Sequence, residues 1–299
     1  MRYPRYLPRV KSTSRRRSRA GASAGVLLAS VAALSSLGGL HAKPAVAMPS
    51  PAKQTHAAAG LDTAVQSPGK ERVTAAVLSL DGRSPKPLLN GKDASYDTAS
   101  IVKVDILATL LLQSQDAGRH LTAQERALAE PMIRNSDNAA TNALWREIGG
   151  APGLEAANKL MGLTATKGGH GPKWGLTQTT ASDQIRLLLC VFDGAGPSKT
   201  DSPLNKESRA YIQSLMTRVA SDQTWGVSAA SGSSHALKNG WLQRTASGLW
   251  DINSVGRVTV DGHSYLVAVL SDGSPSMNEG ISVVERAARQ AVVAATTRA

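Results

Sequence analysis

Three short polar segments of the sequence carry side chains suited to nucleophilic catalysis. They are Ser100-Ile101-Val102-Lys103, Ser136-Asp137-Asn138 and Lys238-Asn239-Gly240. A serine hydroxyl is a weak nucleophile and needs a neighbouring base to take its proton. Because residues three apart lie on one face of a helix, Ser100 and Lys103 can come within hydrogen-bond reach. Burial lowers the pKa of a lysine, so Lys103 can be that base.

Ser100 stands at the beginning of an apolar segment that is predicted to be a helix. From Ile101 to Ala117 the apolar residues recur at spacings of three and four, and Gly118 ends the pattern. The N-terminus of such a helix places positive partial charge beside Ser100 and beside any oxyanion formed there. A second S-x-x-K, Ser67-Pro68-Gly69-Lys70, is less suited because Pro and Gly oppose a helix. The helical context therefore favours Ser100 as the nucleophile.

The elements that must position these residues change along the chain. Strands are predicted near both ends, over 72–80, 88–90, 237–242, 249–260 and 265–271. Helices are predicted over 101–117, 122–133, 139–148, 152–161, 180–192, 205–219 and 280–295. This order indicates an α+β fold in which distant segments build one sheet and the middle of the chain forms an all-helical lobe.

The order of the three polar segments resembles the class A β-lactamases and penicillin-binding proteins, whose motifs are S-x-x-K, S-D-N and K-T-G. The resemblance extends over most of residues 70–295. It implies a β-lactamase/transpeptidase-like fold, with an antiparallel sheet flanked by helices plus an all-helical lobe. It also implies a serine hydrolase that is acylated by β-lactams or related amides. No organic cofactor or metal is implied, and the six His residues show no H-E-x-x-H spacing.

The resemblance implies roles for the second segment and for Lys238. Ser136 would pass a proton to the leaving nitrogen, and Asn138 would hold the side-chain amide of the substrate. Lys238 would draw in the substrate carboxylate and tune Ser136. Asn142 also matches a family position, and we expect it to brace a loop.

The third segment departs from the family because Asn239 replaces Thr or Ser. Its side-chain amide can still donate a hydrogen bond to a substrate carboxylate, but from a longer arm, so we expect a different substrate preference. Gly240 would leave the backbone open for close approach of the substrate. By the resemblance, the backbone amides of Ser100 and Trp241 would form an oxyanion hole.

A second departure concerns deacylation. Class A β-lactamases carry a deacylating glutamate in a loop that corresponds to residues 167–178, and this segment holds no carboxylate here. Glu147 and Glu155 lie too early in the chain and are predicted to be surface charges. His170 is the one candidate substitute base in the loop, although a loop histidine is more often solvated than catalytic. We therefore predict acylation at Ser100 with slow turnover of β-lactams.

The net charge of +12 comes largely from the N-terminal segment. Residues 1–47 contain nine of the 34 Lys and Arg residues and none of the 22 Asp and Glu residues. The rest of the chain is close to neutral, which argues against a nucleic-acid partner. A basic stretch, an apolar run to Leu40 and Ala45-Val46-Ala47 are typical of a signal peptide cleaved before Met48. A retained membrane anchor is the alternative, which the Ser and Gly content of the run disfavours.

These patterns predict a secreted, extracytoplasmic protein with three parts. The signal peptide covers 1–47, a flexible mature N-terminus covers 48–60, and the hydrolase domain covers 61–299. The adjacent arginines permit a twin-arginine route as well as Sec export. We expect a monomer that has no membrane contact after cleavage. The single cysteine, Cys190, lies in an apolar run and is predicted to be a buried core residue.

Other functions remain as alternatives to the β-lactamase-type enzyme. One is a penicillin-binding, peptidase-like or esterase relative that acts on a peptidoglycan-like substrate instead of a small molecule. Another is a catalytically silent protein that binds peptidoglycan. A Ser-His-Asp triad is disfavoured because G-x-S-x-G is absent and Ser233-Ser234-His235 is predicted to lie in a loop.

Overall fold

A computed structural model of the chain describes residues 71–81, 86–192 and 202–297. The predicted signal peptide, the flexible segment over 48–60 and the domain boundary at residue 61 lie outside the described residues. Within the described ranges, the helices are all too short or too polar to span a bilayer.

The described chain contains seven strands and seven α-helices. The strands are β1 (Arg72–Ser79), β2 (Leu88–Asn90), β3 (Tyr96–Asp97), β4 (Gln178–Thr179), β5 (Ser234–Gln243), β6 (Trp250–Val260) and β7 (His263–Ser274). The helices are α1 (Val102–Asp116), α2 (Ala123–Arg134), α3 (Asn138–Glu147), α4 (Gly150–Met161), α5 (Ala181–Phe192), α6 (Lys206–Thr217) and α7 (Met277–Thr296). The predicted succession of strands, helices and strands is confirmed.

Five strands form one sheet in the order β2-β1-β7-β6-β5. All four neighbouring pairs are antiparallel, so the first strands of the domain pair with its last ones. The prediction of an antiparallel sheet built from distant segments is confirmed. β5 lies at one edge of this sheet, and β3 and β4 form a separate two-stranded sheet.

The sheet separates two apolar cores because successive side chains of a strand point to opposite faces. On β1, Ala75 and Val77 join a core with α7, whereas Ala76 and Leu78 join a larger core with the helical lobe. The helix α1 lies in the middle of this lobe, and apolar side chains cover it on nearly every side. A helix enclosed in this way holds its first turn at a fixed place against the sheet.

Several predicted boundaries differ from the structure. The helix expected from Ile101 begins as a 3₁₀ turn, Ala99–Ile101, which leads into α1. The predicted loop at Ser233-Ser234-His235 is wrong for its last two residues, because Ser234 and His235 pair with β6. The last helix begins earlier than predicted, where Ser276 accepts a hydrogen bond from the backbone of Glu279 and caps it.

Candidate active site

The candidate site begins at the 3₁₀ turn before α1. Ala99 has a φ of 46°, a left-handed conformation that is uncommon for residues other than glycine. Backbone strain of this kind is often found at functional sites. The turn places Ser100 and Lys103 side by side, with 2.8 Å between Ser100 Oγ and Lys103 Nζ.

The Lys103 amine is completely enclosed, with an exposed fraction of 0%. Besides Ser100 Oγ, its Nζ lies 2.7 Å from the Ser136 carbonyl oxygen, 3.0 Å from Ser136 Oγ and 2.8 Å from Asn138 Oδ1. The carbonyl and amide oxygens can only accept hydrogen bonds. A neutral amine can donate to both and still offer its lone pair to the Ser100 hydroxyl.

Burial also favours the neutral form of this amine. Desolvation lowers the pKa of Lys103 to about 7, against the opposing effect of the Asp137 charge. Near neutral pH, a substantial fraction of the lysine is therefore able to accept a proton.

A second buried lysine completes the polar chain. Lys238 Nζ lies 2.9 Å from Ser136 Oγ and donates to the backbone carbonyl of Asn239 at 2.9 Å. Desolvation, and then the nearby charge of Lys103, hold the pKa of Lys238 well below its ordinary value. Ser136 has a left-handed backbone with a φ of 57°. The structure thus brings Ser100, Lys103, Ser136 and Lys238 into one chain of hydrogen bonds, while their catalytic roles stay predictions.

The strand β5 supplies Lys238 and packs against the turn that carries Ser100. Gly240, two residues further, lies on the same face of the strand. A Cβ at Gly240 would lie 2.8 Å from the backbone nitrogen of Ser100 and 2.8 Å from the carbonyl oxygen of Thr98. The missing side chain of this glycine therefore lets the backbone of Ser100 approach the strand, and its predicted role in substrate approach stays a prediction.

The side chain of Asn239, predicted to contact a substrate carboxylate, has protein partners instead. Its side chain is 1% exposed and lies on the opposite face of β5. The amide nitrogen donates to the carbonyls of Gln223 and Trp225, and its oxygen accepts from Ser254 Oγ at 2.6 Å. Because every polar atom of this side chain has a protein partner, Asn239 fastens β5 to the neighbouring segments instead of binding a carboxylate.

Trp241 lies on the same face of β5 as Asn239. Its ring packs edge-to-face on Trp225, with 6.1 Å between the ring centroids. The side chain therefore belongs to the packing behind the sheet. The predicted contribution of the Trp241 backbone amide to an oxyanion hole stays a prediction.

The second polar segment meets the first at the beginning of α3. Asp137 caps this helix by accepting from the backbone of Ala140 at 2.7 Å. Asn138, predicted to hold a substrate amide, is exposed, and its Oδ1 accepts a hydrogen bond from Lys103 Nζ. Asn142, one turn further, accepts from the indole nitrogen of Trp174 at 2.8 Å, so its predicted role in bracing a loop is confirmed.

Trp174, rather than His170, is the loop residue that reaches the site. The His170 ring is exposed and makes no hydrogen bond or ion pair within the described ranges, which favours the interpretation of a solvated side chain. Lys103 Nζ lies 4.8 Å from the centroid of the Trp174 ring. No motif in the sequence predicts a role for Trp174; a large aromatic residue in a segment otherwise rich in Gly and Lys is the signal that could have indicated it.

Other contacts hold the loop in place. The Trp145 indole donates to the carbonyl of Gly171 at 2.8 Å. Glu155, predicted to be a surface charge, is half-buried and accepts from the backbone of Gly168 at 3.0 Å, so that prediction is corrected. The Glu155 carboxylate can reach this backbone nitrogen because the loop approaches α4 closely at Gly168.

An ion-pair cluster that no motif in the sequence predicts lies beside the 3₁₀ turn that carries Ser100. Arg244, just after β5, pairs with Asp97 and Asp251. Gln178 also donates to Asp97. Asn253 donates to the carbonyls of Asp97, at 2.8 Å, and Thr98, at 3.1 Å. These bonds fasten the segment before Ser100 to both the sheet and the loop.

No group of three or more His, Cys, Asp or Glu side chains in the described part of the chain is arranged to hold a metal ion. Cys190 is buried as predicted, and desolvation raises the pKa of its thiol to about 11, which makes a thiolate nucleophile unfavourable at neutral pH.

Comparison with known protein families places this chain among β-lactamase relatives. The model of the β-lactamase enzyme family matches residues 111–295. "Putative lipoprotein LppW" of Mycobacterium tuberculosis (strain H37Rv) is 28% identical over 123 residues, which is 41% of this chain and 39% of LppW. The match thus spans about two fifths of the length of that relative. The family match begins after Ser100 and Lys103, so the placement of these two residues rests on geometry.

Solved structures share the fold at low sequence identity. PBP-A superposes with a TM-score of 0.65 at 21% identity, covering 80% of this chain and 94% of PBP-A. The TLA-1 extended-spectrum β-lactamase gives a TM-score of 0.62 at 16% identity, covering 75% of this chain and 94% of TLA-1. The β-lactamase of Chitinophaga pinensis gives 0.61 at 17% identity, covering 78% and 96%. The predicted β-lactamase/transpeptidase-like fold is confirmed.

Proposed function

This chain belongs to the β-lactamase enzyme family, and from that premise we propose that it is a serine hydrolase acylated at Ser100 by β-lactams or related amides. One observation carries the proposal: the unbroken chain of hydrogen bonds from Ser100 through Lys103 and Ser136 to Lys238. A nucleophile, a base that is neutral near pH 7 and a second proton carrier are the groups that acyl transfer needs.

The acylation step uses these groups in order. Lys103 accepts the hydroxyl proton while Ser100 Oγ forms a bond to the carbonyl carbon of the substrate. The oxyanion lies at the N-terminus of α1, where backbone dipoles and the amides of Ser100 and Trp241 stabilise it. The C–N bond then breaks, and Ser136 gives its proton to the leaving nitrogen. Lys103 returns a proton to Ser136 through their 3.0 Å contact.

We further propose that the acyl-enzyme is hydrolysed slowly. Within the described ranges, no carboxylate is hydrogen-bonded to Ser100 or Lys103, and the loop over 167–178 holds none. Deacylation needs a base that activates water. The main alternative is a peptidase-like or esterase relative that acts on a peptidoglycan-like substrate. It would use the same acylation step and differ only in its substrate.

Export is part of the proposal. The basic and apolar pattern of residues 1–47 supports a cleaved signal peptide by either route, and the matched relative LppW carries the word lipoprotein in its name. Fractionation of cells that express the full chain, followed by N-terminal sequencing, tests it. A mature protein that begins at Met48 outside the cytoplasm is the expected result, and an uncleaved cytoplasmic chain contradicts it.

Mass spectrometry after incubation with penicillin G tests the enzymatic proposal. We expect one covalent adduct on Ser100 that persists through purification. Ser100→Ala should abolish the adduct and leave the melting temperature nearly unchanged. An intact protein that forms no adduct would support the silent peptidoglycan binder instead. Rapid hydrolysis of a chromogenic cephalosporin would contradict slow deacylation.

A further inference from the structure

The Trp174 side chain closes one side of the Lys103 amine. Three oxygens from the α2–α3 junction and the hydroxyl of Ser100 occupy the other sides of this amine. The indole ring, 4.8 Å away from Nζ, takes the remaining approach. No exposed surface is left on the Lys103 side chain.

We propose that Trp174 is a positioning residue that keeps water away from Lys103 and thereby prolongs the life of the acyl group on Ser100. This inference rests on the proposed acylation of Ser100 and adds a physical cause for slow deacylation. A missing carboxylate alone does not protect the ester, because the amine of Lys103 is itself a base.

In the hydrolysis that Trp174 opposes, water cleaves the ester between the acyl group and Ser100 with Lys103 as the base. A water oxygen adds to the ester carbonyl carbon while its proton goes to Lys103 Nζ. The C–O bond to Ser100 then breaks, and the proton passes from Nζ to Ser100 Oγ, which restores the hydroxyl and releases the acid. The water must touch both Nζ and the carbonyl carbon, so a ring that covers Nζ on the open side prevents the first step.

The indole ring is held in this position by protein contacts. Its Nε1 donates to Asn142 Oδ1 at 2.8 Å. The 3₁₀ turn Trp174–Leu176 packs on the turn that carries Ser100, and a Cβ at Gly175 would lie 3.8 Å from the Cα of Ala99. The ring therefore does not depend on a bound ligand for its placement, and its position is coupled to the nucleophile turn.

Two other charged groups act on the Lys103 amine. Asp137, before α3, favours the ammonium form, and Lys238, on β5, couples to Lys103 through their charges. Neither is altered by a change at Trp174. Burial is the main cause of the low Lys103 pKa, so admitting water where the ring stood raises that pKa. The pH profile of acylation therefore reports whether the ring excludes water.

The experiment compares the full-length protein with Trp174→Ala and Trp174→Phe. Each is acylated with a fluorescent penicillin, freed of excess reagent and sampled over time by mass spectrometry. We expect the adduct of Trp174→Ala to decay about tenfold faster or more, which is roughly 1.4 kcal/mol of barrier. Trp174→Phe retains a ring over Nζ but loses the bond to Asn142, so its adduct should decay at an intermediate rate, between those of the parent and Trp174→Ala. The pH midpoint of acylation should rise in Trp174→Ala only.

Two further variants separate water exclusion from a general loosening of the loop. Trp145→Phe removes the bond to Gly171 without uncovering Lys103, and its adduct should decay at the parent rate. Asn142→Ala frees the indole and should give an intermediate lifetime, which keeps the test decisive even where Trp174→Ala fails to fold. An unchanged lifetime in Asn142→Ala and in a folded Trp174→Ala overturns the inference. Absence of any adduct on the parent protein refutes the proposed function itself.

Discussion

Two buried ionisable side chains on α1, Lys103 and Asp105, lie two residues apart and differ in their hydrogen-bond partners. Both are almost fully enclosed, with exposed fractions of 0% and 1%. The amine of Lys103 meets four protein oxygens, whereas neither oxygen of Asp105 has a hydrogen-bond partner. Moving a polar group from water into the protein interior costs free energy unless hydrogen bonds replace those to water. This cost is compensated by hydrogen bonds at Lys103 and is not compensated at Asp105.

The surroundings of Asp105 extend this contrast. The buried side chains of Thr109, one turn further on α1, and Asn158, on α4, also have no hydrogen-bond partner for their polar atoms. Desolvation raises the pKa of Asp105 to about 7, and the charge of Asp183 adds to this rise. The Asn158 amide, which lies near the carboxyl group but outside hydrogen-bond geometry, opposes it. Near neutral pH the carboxyl group is thus partly protonated. Burial moves both pKa values toward neutrality, but only Lys103 lies within hydrogen-bond distance of hydroxyl groups with which it could exchange a proton.

The largest expected effect comes from removing the compensated amine. Lys103→Met keeps the length of the side chain and removes its base, so acylation of Ser100 by a fluorescent penicillin should slow by roughly a thousandfold. Single-turnover labelling measures the rate. Lys159→Met, on the exposed face of α4, is the matched control and should label at the parent rate. A Lys103→Met protein that is acylated normally would show that the base lies elsewhere.

The pH dependence of acylation follows from the same amine. In the proposed mechanism the neutral form of Lys103 is the base, and the pKa of this amine is about 7. The acylation rate should therefore rise between about pH 6 and pH 8 and then level off. Stopped-flow labelling across this range measures the midpoint. A flat profile would show that the Lys103 amine does not carry the titrating step.

Replacing the uncompensated carboxyl group changes stability rather than chemistry. The folded pKa of Asp105 is about 7, against 3.8 for an ordinary aspartate, so the folded state holds a proton that the unfolded state releases. The contribution of this bound proton to the free energy of unfolding is present at low pH and is lost as the pH rises from about 4 to about 7. Asp105→Asn should remove this loss and raise the free energy of unfolding at pH 8 by on the order of 4 kcal/mol.

Urea unfolding at pH 4 and pH 8 measures the effect of Asp105→Asn. At pH 4 the variant and the parent should be nearly equal. The matched control is Asp183→Asn, because the Asp183 carboxylate is also buried but accepts from the Ala165 backbone, from Thr166 and from Arg186. That variant should be destabilised at pH 8. Equal effects of the two substitutions would remove the distinction between partnered and unpartnered carboxylates.

The parts of this molecule that the sequence predicts are those with a local cause. Apolar spacing identifies α1, and the Thr122–Glu125 pattern predicts the capping box at the start of α2, which the structure contains. The order of the three polar segments identifies the fold family. Each of these signals needs only neighbouring residues or a known motif order.

Other features depend on the direction of a side chain or on a distant contact. Asn239 follows Lys238 on a strand, so strand alternation places it on the opposite face, a signal that motif comparison overlooked. The position of Trp174 over Lys103 has no local cause, since it depends on how the loop folds back on α3. The unpartnered state of Asp105 arises only where α1 meets α4.

A smaller effect is expected at the contact between β5 and the turn that carries Ser100. Gly240→Ala would place a methyl group 2.8 Å from the Ser100 backbone nitrogen, so the strand or the turn must move. We expect destabilisation of about 1–3 kcal/mol together with slower acylation, because the compensated site depends on this packing. Thermal unfolding and labelling of one preparation measure both. Gly248→Ala, in a turn with nothing within 4 Å of an added Cβ, is a control for glycine replacement; its φ of 70° adds strain without touching the site.

The smallest expected effect tests the contrast with two buried threonines. Thr109 Oγ1 has no hydrogen-bond partner, whereas Thr141 Oγ1, on α3, donates to the Asp137 carbonyl at 2.5 Å. Thr109→Val removes an unpaired hydroxyl and should stabilise the protein by about 1 kcal/mol, while Thr141→Val removes a formed bond and should destabilise it by about the same amount. Urea unfolding measures both. Changes of opposite sign in the free energy of unfolding would show that the effect depends on the hydrogen-bond partner and not on burial. Changes of equal sign would mean that the Thr109 hydroxyl has a partner, such as a buried water.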